Sequence, residues 1–225
     1  MRYLIAVAIL ALTTSTFAAT SQLSNDEVTR GLKEALIQGT GKAVAQLGQV
    51  NGFLENPKVK IPLPEHLQRA EKTLRFFGMG KQADELVLRM NRAAEAAVPP
   101  AKELLVNSVK QMNIADAKTI LTGSEDAATQ YFRRTTSTPL AEKFRPIVQD
   151  AMKDVSLAQQ YNELTKLGQR YRLIGKEQGT LEDYITQKTL DGVYLMMAEE
   201  EKKIRKDPVK AGSEWVRKVF GVLNQ

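Results

Sequence analysis

Apolar residues recur at helical spacing along nearly the whole chain, and the runs are separated by clusters of Gly, Pro, Ser, Thr, Asn and Asp. The first marked start is Leu23 to Val28, where Ser24 and Glu27 form a capping box and Leu23 and Val28 a hydrophobic staple. Val28, Leu32, Leu36, Ala43 and Leu47 continue one face, and Gly39 and Gly41 within it point to close packing against a neighbour. Asn56 to Pro64 alternates Val59 and Ile61 with lysines between prolines and reads as a short extended segment. A helix is expected from Pro64 to Phe77 with Gly78 as its stop, another from Lys81 to Ala97, and a third from Ala101 to Met112 after Pro99-Pro100.

The densest stretch runs from Asp116 to Pro146. Gly123-Ser124 separates Ile114 to Thr122 from Glu125 to Thr135, which predicts two helices meeting at a tight corner. Ser137-Thr138-Pro139 predicts the cap of a further helix, with Pro146 kinking it or starting the next. Tyr161, Leu164 and Leu167 carry a helical pattern to Gly168, and Thr180 with Asp183 opens a long helix to about Arg205. Asp207-Pro208 starts a last one carrying Trp215, Val216, Val219 and Phe220. Between Arg170 and Gly179 the period is lost, and Tyr171 to Ile174 could pair with Val59 to Ile61. The expected fold is therefore all-α: a single multi-helix domain over residues 19–225 with at most one minor two-stranded β pairing.

The N-terminus adds a compartment. One Arg precedes an apolar run from Leu4 to Leu12, and Thr16 and Ala18 occupy the small-residue positions of a cleavage site. Residues 1–18 thus read as a secretory signal peptide, too short in its apolar run to span a bilayer. Cysteine is absent, which excludes disulfides, a thiol nucleophile, cysteine metal sites and an acyl-chain attachment thiol. The net charge of +6 is spread among acids along the chain, the pattern of solvated helix faces and not of a nucleic-acid stripe. The run Glu199 to Lys203 reads the same way.

Candidate chemistry is sparse. His66, the single histidine, lies in the first turn of a helix with no nucleophile marked beside it. Asp116, Glu125 and Asp126 lack the alternation and glycine of a calcium loop, no phosphate loop occurs, and neither a metal nor a cofactor is expected. The polar set most worth following is Asn91, Glu95, Asp116, Thr129, Arg133 and Asp191, a candidate binding cluster with no catalytic residue assigned. Arg133 or Arg134 is expected to form a buried pair with Asp191, because Leu195 and Ala198 share the helix face of Asp191.

The order of short motifs is more telling than any one of them. Asn91-Arg92-Ala93-Ala94-Glu95, Asp116-Ala117 with Ile120-Leu121 and Gly123, Ala127-Ala128-Thr129 with Tyr131-Phe132, Phe144 with Pro146-Ile147, Asp191-Gly192, Glu200-Glu201 with Ile204-Arg205 and Pro208, and Val219-Phe220-Gly221 follow in succession. In this the chain, including Ile61-Pro62-Leu63-Pro64, resembles the secreted family of Gram-negative bacteria catalogued as domain of unknown function 4197. The resemblance implies an envelope location and a mainly helical fold, and it supplies no reaction, ligand or catalytic residue. It also implies a lipid-anchoring Cys after the signal in many members, from which this chain departs. A periplasmic, non-lipidated protein is expected, most simply a non-enzymatic binding or envelope-maintenance protein whose partner is an envelope protein or an apolar ligand. Two other readings stay open: a carrier of an apolar or amphiphilic ligand between helices, motivated by Ala and Gly on inward faces, and an enzyme of unidentified class using the polar cluster around Asp116, Arg133 and Asp191.

Overall fold

Ser24 opens the first helix as its pattern requires: its hydroxyl accepts from the Glu27 amide while the Glu27 carboxylate accepts from the Ser24 amide. The computed structural model describes residues 24–152, 155–170 and 180–207. Eight helices follow one another among them: α1 (Asn25–Leu47), α2 (Glu65–Phe76), α3 (Gly80–Ala97), α4 (Ala101–Gln111), α5 (Ile114–Thr122), α6 (Ala127–Met152), α7 (Val155–Arg170) and α8 (Leu181–Lys206). The fold is an all-α single domain, and no strand occurs among the described residues. The expected segments at Tyr171 to Ile174 and Trp215 to Phe220, like the expected signal peptide, lie outside the described residues.

Helices α6 and α8 form the centre. Helix α8 lies along α6 and α1, α4 and α3 back onto α6, and α2 and α7 close the far side of α3. Tyr194 of α8 and Thr136 of α6 share a hydrogen bond of 2.9 Å in the core, and the Tyr131 hydroxyl donates to the Ser108 carbonyl of α4 at 3.1 Å. Burial pushes the Tyr194 hydroxyl above the usual tyrosine pKa.

Helix α6 corrects the helix start expected at Ser137-Thr138-Pro139 and the alternative of a new start at Pro146. It runs unbroken through Pro139 and Pro146, with no new cap at Ser137. Ala128, Phe132, Thr136, Leu140, Phe144 and Val148 are all buried at strict four-residue spacing across both prolines. Each proline removes one backbone donor, but both sit off this stripe, so burial of the apolar face outweighs the two missing hydrogen bonds. The α1 glycines divide. A side chain at Gly39 would meet Ile204 at 3.4 Å, which fits close packing on α8, whereas Gly41 has nothing within 4 Å.

Candidate functional site

The least helical part of the described chain, residues 48–64 between α1 and α2, is also its most heavily anchored. Gly52 lies on the last carbonyls of α1, where a Cβ would come within 2.5 Å of the Leu47 oxygen, so only glycine allows the chain to double back there. Asn51 before it takes a left-handed conformation, φ 70°, which Asn tolerates better than other side chains. Glu95 of α3 is buried and one carboxylate oxygen accepts from the backbone amides of Phe53 and Leu54 at 3.0 and 3.1 Å. Its other oxygen receives Arg92 at 2.5 Å, and Arg92 donates onward to the Asn51 side-chain oxygen at 2.6 Å. One turn earlier, buried Asn91 exchanges two hydrogen bonds of 2.8 Å with the backbone of Ile61, as a neighbouring strand would. The expected extended segment from Asn56 to Pro64 is corrected in its first half, where residues 57–59 form a turn and the Asn56 carbonyl accepts from the Val59 and Lys60 amides at 3.1 and 2.8 Å; Ile61, beyond the turn, takes its partner from α3.

Helix α8 supplies the second jaw. The Phe53 ring rests on Gly192, where a Cβ would lie 2.6 Å from the ring. The Tyr184 hydroxyl donates to the Pro62 carbonyl at 3.0 Å, and burial pushes its pKa up to about 12. Lys58 pairs with Glu199 at 2.5 Å, and the hydrogen bond from Lys58, followed by its positive charge, holds the Glu199 carboxyl below its usual range. Between this loop and α8 opens a cleft of about 410 Å³. Gln46, Gln49, Asn51, Asn56, the Lys58–Glu199 pair and Met196 line it. Lys58 and Lys203 balance Glu55 and Glu199 around the cleft, so its chemistry is that of hydrogen-bond donors and acceptors without an excess of either charge. No nucleophile paired to a base lies among these lining residues.

The six polar residues singled out in the sequence do not meet at one place. Asn91 and Glu95 hold the loop. Asp116 sits in its own capping box, exchanging hydrogen bonds with Asn113 at 2.8 and 3.1 Å. Thr129 lies at the buried start of α6, where its amide and hydroxyl both donate to Glu201. Arg133 does reach Asp191, at 3.5 Å, but the two side chains are 52% and 43% exposed, which corrects the expected buried pair. Leu195, counted as an inward neighbour of Asp191, is exposed, so that face of α8 borders solvent, and Arg133 instead lies over the Tyr194 ring at 4.7 Å.

Glu201 is one of two buried acids, with Glu200, in the charged run read as a solvated face. It is 6% exposed, accepts from the Ala128 and Thr129 amides, and is paired with Arg205 at 2.9 Å. Arg205 also donates to the Ile120 carbonyl at 2.8 Å, so one ion pair ties the end of α5 to the start of α6. The four-residue spacing to Arg205 and a helix start near Glu125 are both visible in the sequence; that Glu201 serves that start is not. Where α1, α6 and α8 meet, the small residues Ala35, Gly39 and Ala128 border voids of about 20 and 10 Å³, room for a water at most. They serve close approach of helices at that place.

Among the described residues no group of His, Asp or Glu is placed to hold a metal ion, and no helix is long and apolar enough to cross a membrane. No curated protein and no solved structure matches the chain. A family model does match, across residues 22–221, and by that match the chain belongs to the family described as protein of unknown function (DUF4197).

Proposed function

We propose that this is a non-enzymatic binding protein of the periplasm, exported through residues 1–18 without lipidation, and that it takes its partner at the cleft between residues 49–58 and α8. The observation that carries the reading is the clamp. A segment of irregular backbone is fixed from two helices by Asn91, Glu95 and Arg92 on one side and Gly192 and Tyr184 on the other. Such anchoring keeps a binding wall in shape before a partner arrives and so lowers the entropy lost on binding. The cleft's lining suits a polar, uncharged or zwitterionic surface. The other polar residues singled out in the sequence are engaged in caps and ion pairs, an arrangement that supports structural roles over catalysis.

Two measurements test this. Intact mass of the protein recovered from the periplasm should give a chain starting at Ala19 with no acyl group; retention of residues 1–18 or an added lipid would contradict it. Photo-crosslinking side chains at Gln49 and at Lys58 should capture one common partner that the same group at Lys118 on α5 does not. Equal capture from all three positions would reject the cleft as the binding place.

A further inference from the structure

Asn51 is followed by Gly52, the neighbour that least hinders attack of a backbone nitrogen on the preceding side-chain amide, because glycine has no Cβ. We propose that Asn51 is a latent site of covalent modification, held shut in the folded protein by Arg92 and Glu55, at which the Asn51-Gly52 pair converts to aspartate or isoaspartate when that clamp loosens. This goes beyond the proposed binding role and does not depend on it.

The chemistry needs only water. The Gly52 backbone nitrogen forms a bond to the Asn51 side-chain carbonyl carbon, and the bond from that carbon to Nδ2 breaks. Ammonia leaves, carrying the proton that Gly52 gives up, and a five-membered imide remains. Water then opens the imide at one of its two carbonyls, giving aspartate or an isoaspartate in which the main chain runs through the former side chain. No oxidant, metal or catalyst enters the balance.

The structure blocks the first step in three ways. The Asn51 side chain is held at both ends: Oδ1 accepts from Arg92 at 2.6 Å and Nδ2 donates to Glu55 at 2.6 Å. To reach its own neighbour it must leave both. The attacking nitrogen is itself engaged, because the Gly52 amide donates to the Gln49 carbonyl at 2.9 Å. Finally, the backbone around the pair cannot easily shift, since Gly52 lies on the α1 carbonyls and the Asn51 carbonyl accepts from the Glu55 amide at 3.2 Å. Arg92 is fixed in turn by buried Glu95. The reaction would matter to the cleft, because an isoaspartate lengthens the main chain by one carbon at the turn that forms its wall.

The test is a timed incubation of the full-length protein at mildly alkaline pH, followed by trypsin and mass analysis of the peptide spanning residues 43–58. Asn56 in the same peptide is an internal control, since Pro57 after it has no backbone N–H with which to attack. The folded wild type should convert at Asn51 more slowly than the same chain in denaturant by about tenfold or more, the effect on a rate of losing one hydrogen bond to a charged group. Arg92→Ala should move the folded protein toward the denatured rate. Glu55→Ala, on an exposed side chain, frees the other end of the amide and keeps the test decisive if Arg92→Ala fails to fold, with helical circular dichroism as the check. A folded wild type converting at the denatured rate would overturn the proposal, as would Glu55→Ala that stays folded and converts no faster than wild type.

Discussion

Thr129 gives both its backbone amide and its hydroxyl to one carboxylate oxygen of Glu201, a residue 72 positions further along the chain. The acid stands at the buried N-terminus of α6, where unpaired amide donors and the positive end of the helix dipole both favour a negative charge. Removing it leaves the Ala128 and Thr129 donors without that acceptor and takes the carboxylate from Arg205. Glu201→Ala is expected to destabilise the protein by about 3–5 kcal/mol in denaturant titration, the cost typical of breaking one side of a buried pair. A loss under about 1 kcal/mol would mean that water replaces the carboxylate.

Asp191 should behave in the opposite way. Its contact with Arg133 is long and nearly half-exposed, and Gln187 also donates to it at 3.1 Å. Asp191→Ala should therefore change stability by less than about 1 kcal/mol, and a double-mutant cycle with Arg133→Ala should show coupling of the same small size. Coupling of several kcal/mol would point to a desolvated pair.

Gly192 faces the Phe53 ring so closely that a methyl group cannot be added without displacing the ring. Gly192→Ala is expected to cost about 1–3 kcal/mol by overpacking. Adding Phe53→Leu should recover part of that loss, because the smaller side chain leaves room for the methyl. If the two substitutions simply add, the ring is not what the methyl strikes.

Tyr184 gives a pH-dependent prediction. Its hydroxyl is raised from 10.0 to about 12 by burial, so the folded state holds that proton more tightly than the unfolded chain. The resulting stabilisation is fully present below about pH 10 and is lost as pH rises through about 12. Between those values the wild type should lose stability more steeply than Tyr184→Phe. Parallel curves for the two proteins, measured by chemical denaturation at stepped pH, would show that the hydroxyl ionises as freely as in water.

The elements were largely legible because their signals are local. Ser24 and Glu27, Thr180 and Asp183, and Gly78 after Phe77 mark helix ends through bonds or turns made within a few residues, and apolar spacing marks the faces between them. The helix start expected at Ser137-Thr138-Pro139, and the alternative of a new start at Pro146, failed for the complementary reason. A proline lowers local helix stability wherever it stands, but the burial that carries α6 past both comes from α3, α4 and α8, which no local window contains.

The candidate site shows the same division. Asn91 and Glu95 belong to the candidate polar set, yet nothing within α3 says that their partners are the backbone amides of Ile61, Phe53 and Leu54, some 30 to 42 residues earlier. By itself the sequence determined most of the helices, the caps at Ser24 and Thr180 and the absence of thiol chemistry. Only the tertiary structure decided that the segment between α1 and α2 is clamped between α3 and α8, that Glu201 is buried while Asp191 is not, and where a cleft opens. Those outcomes depend on which surfaces lose water when distant helices meet, and the free energy of a charge or an amide is set by that surrounding and not by its neighbours in the chain.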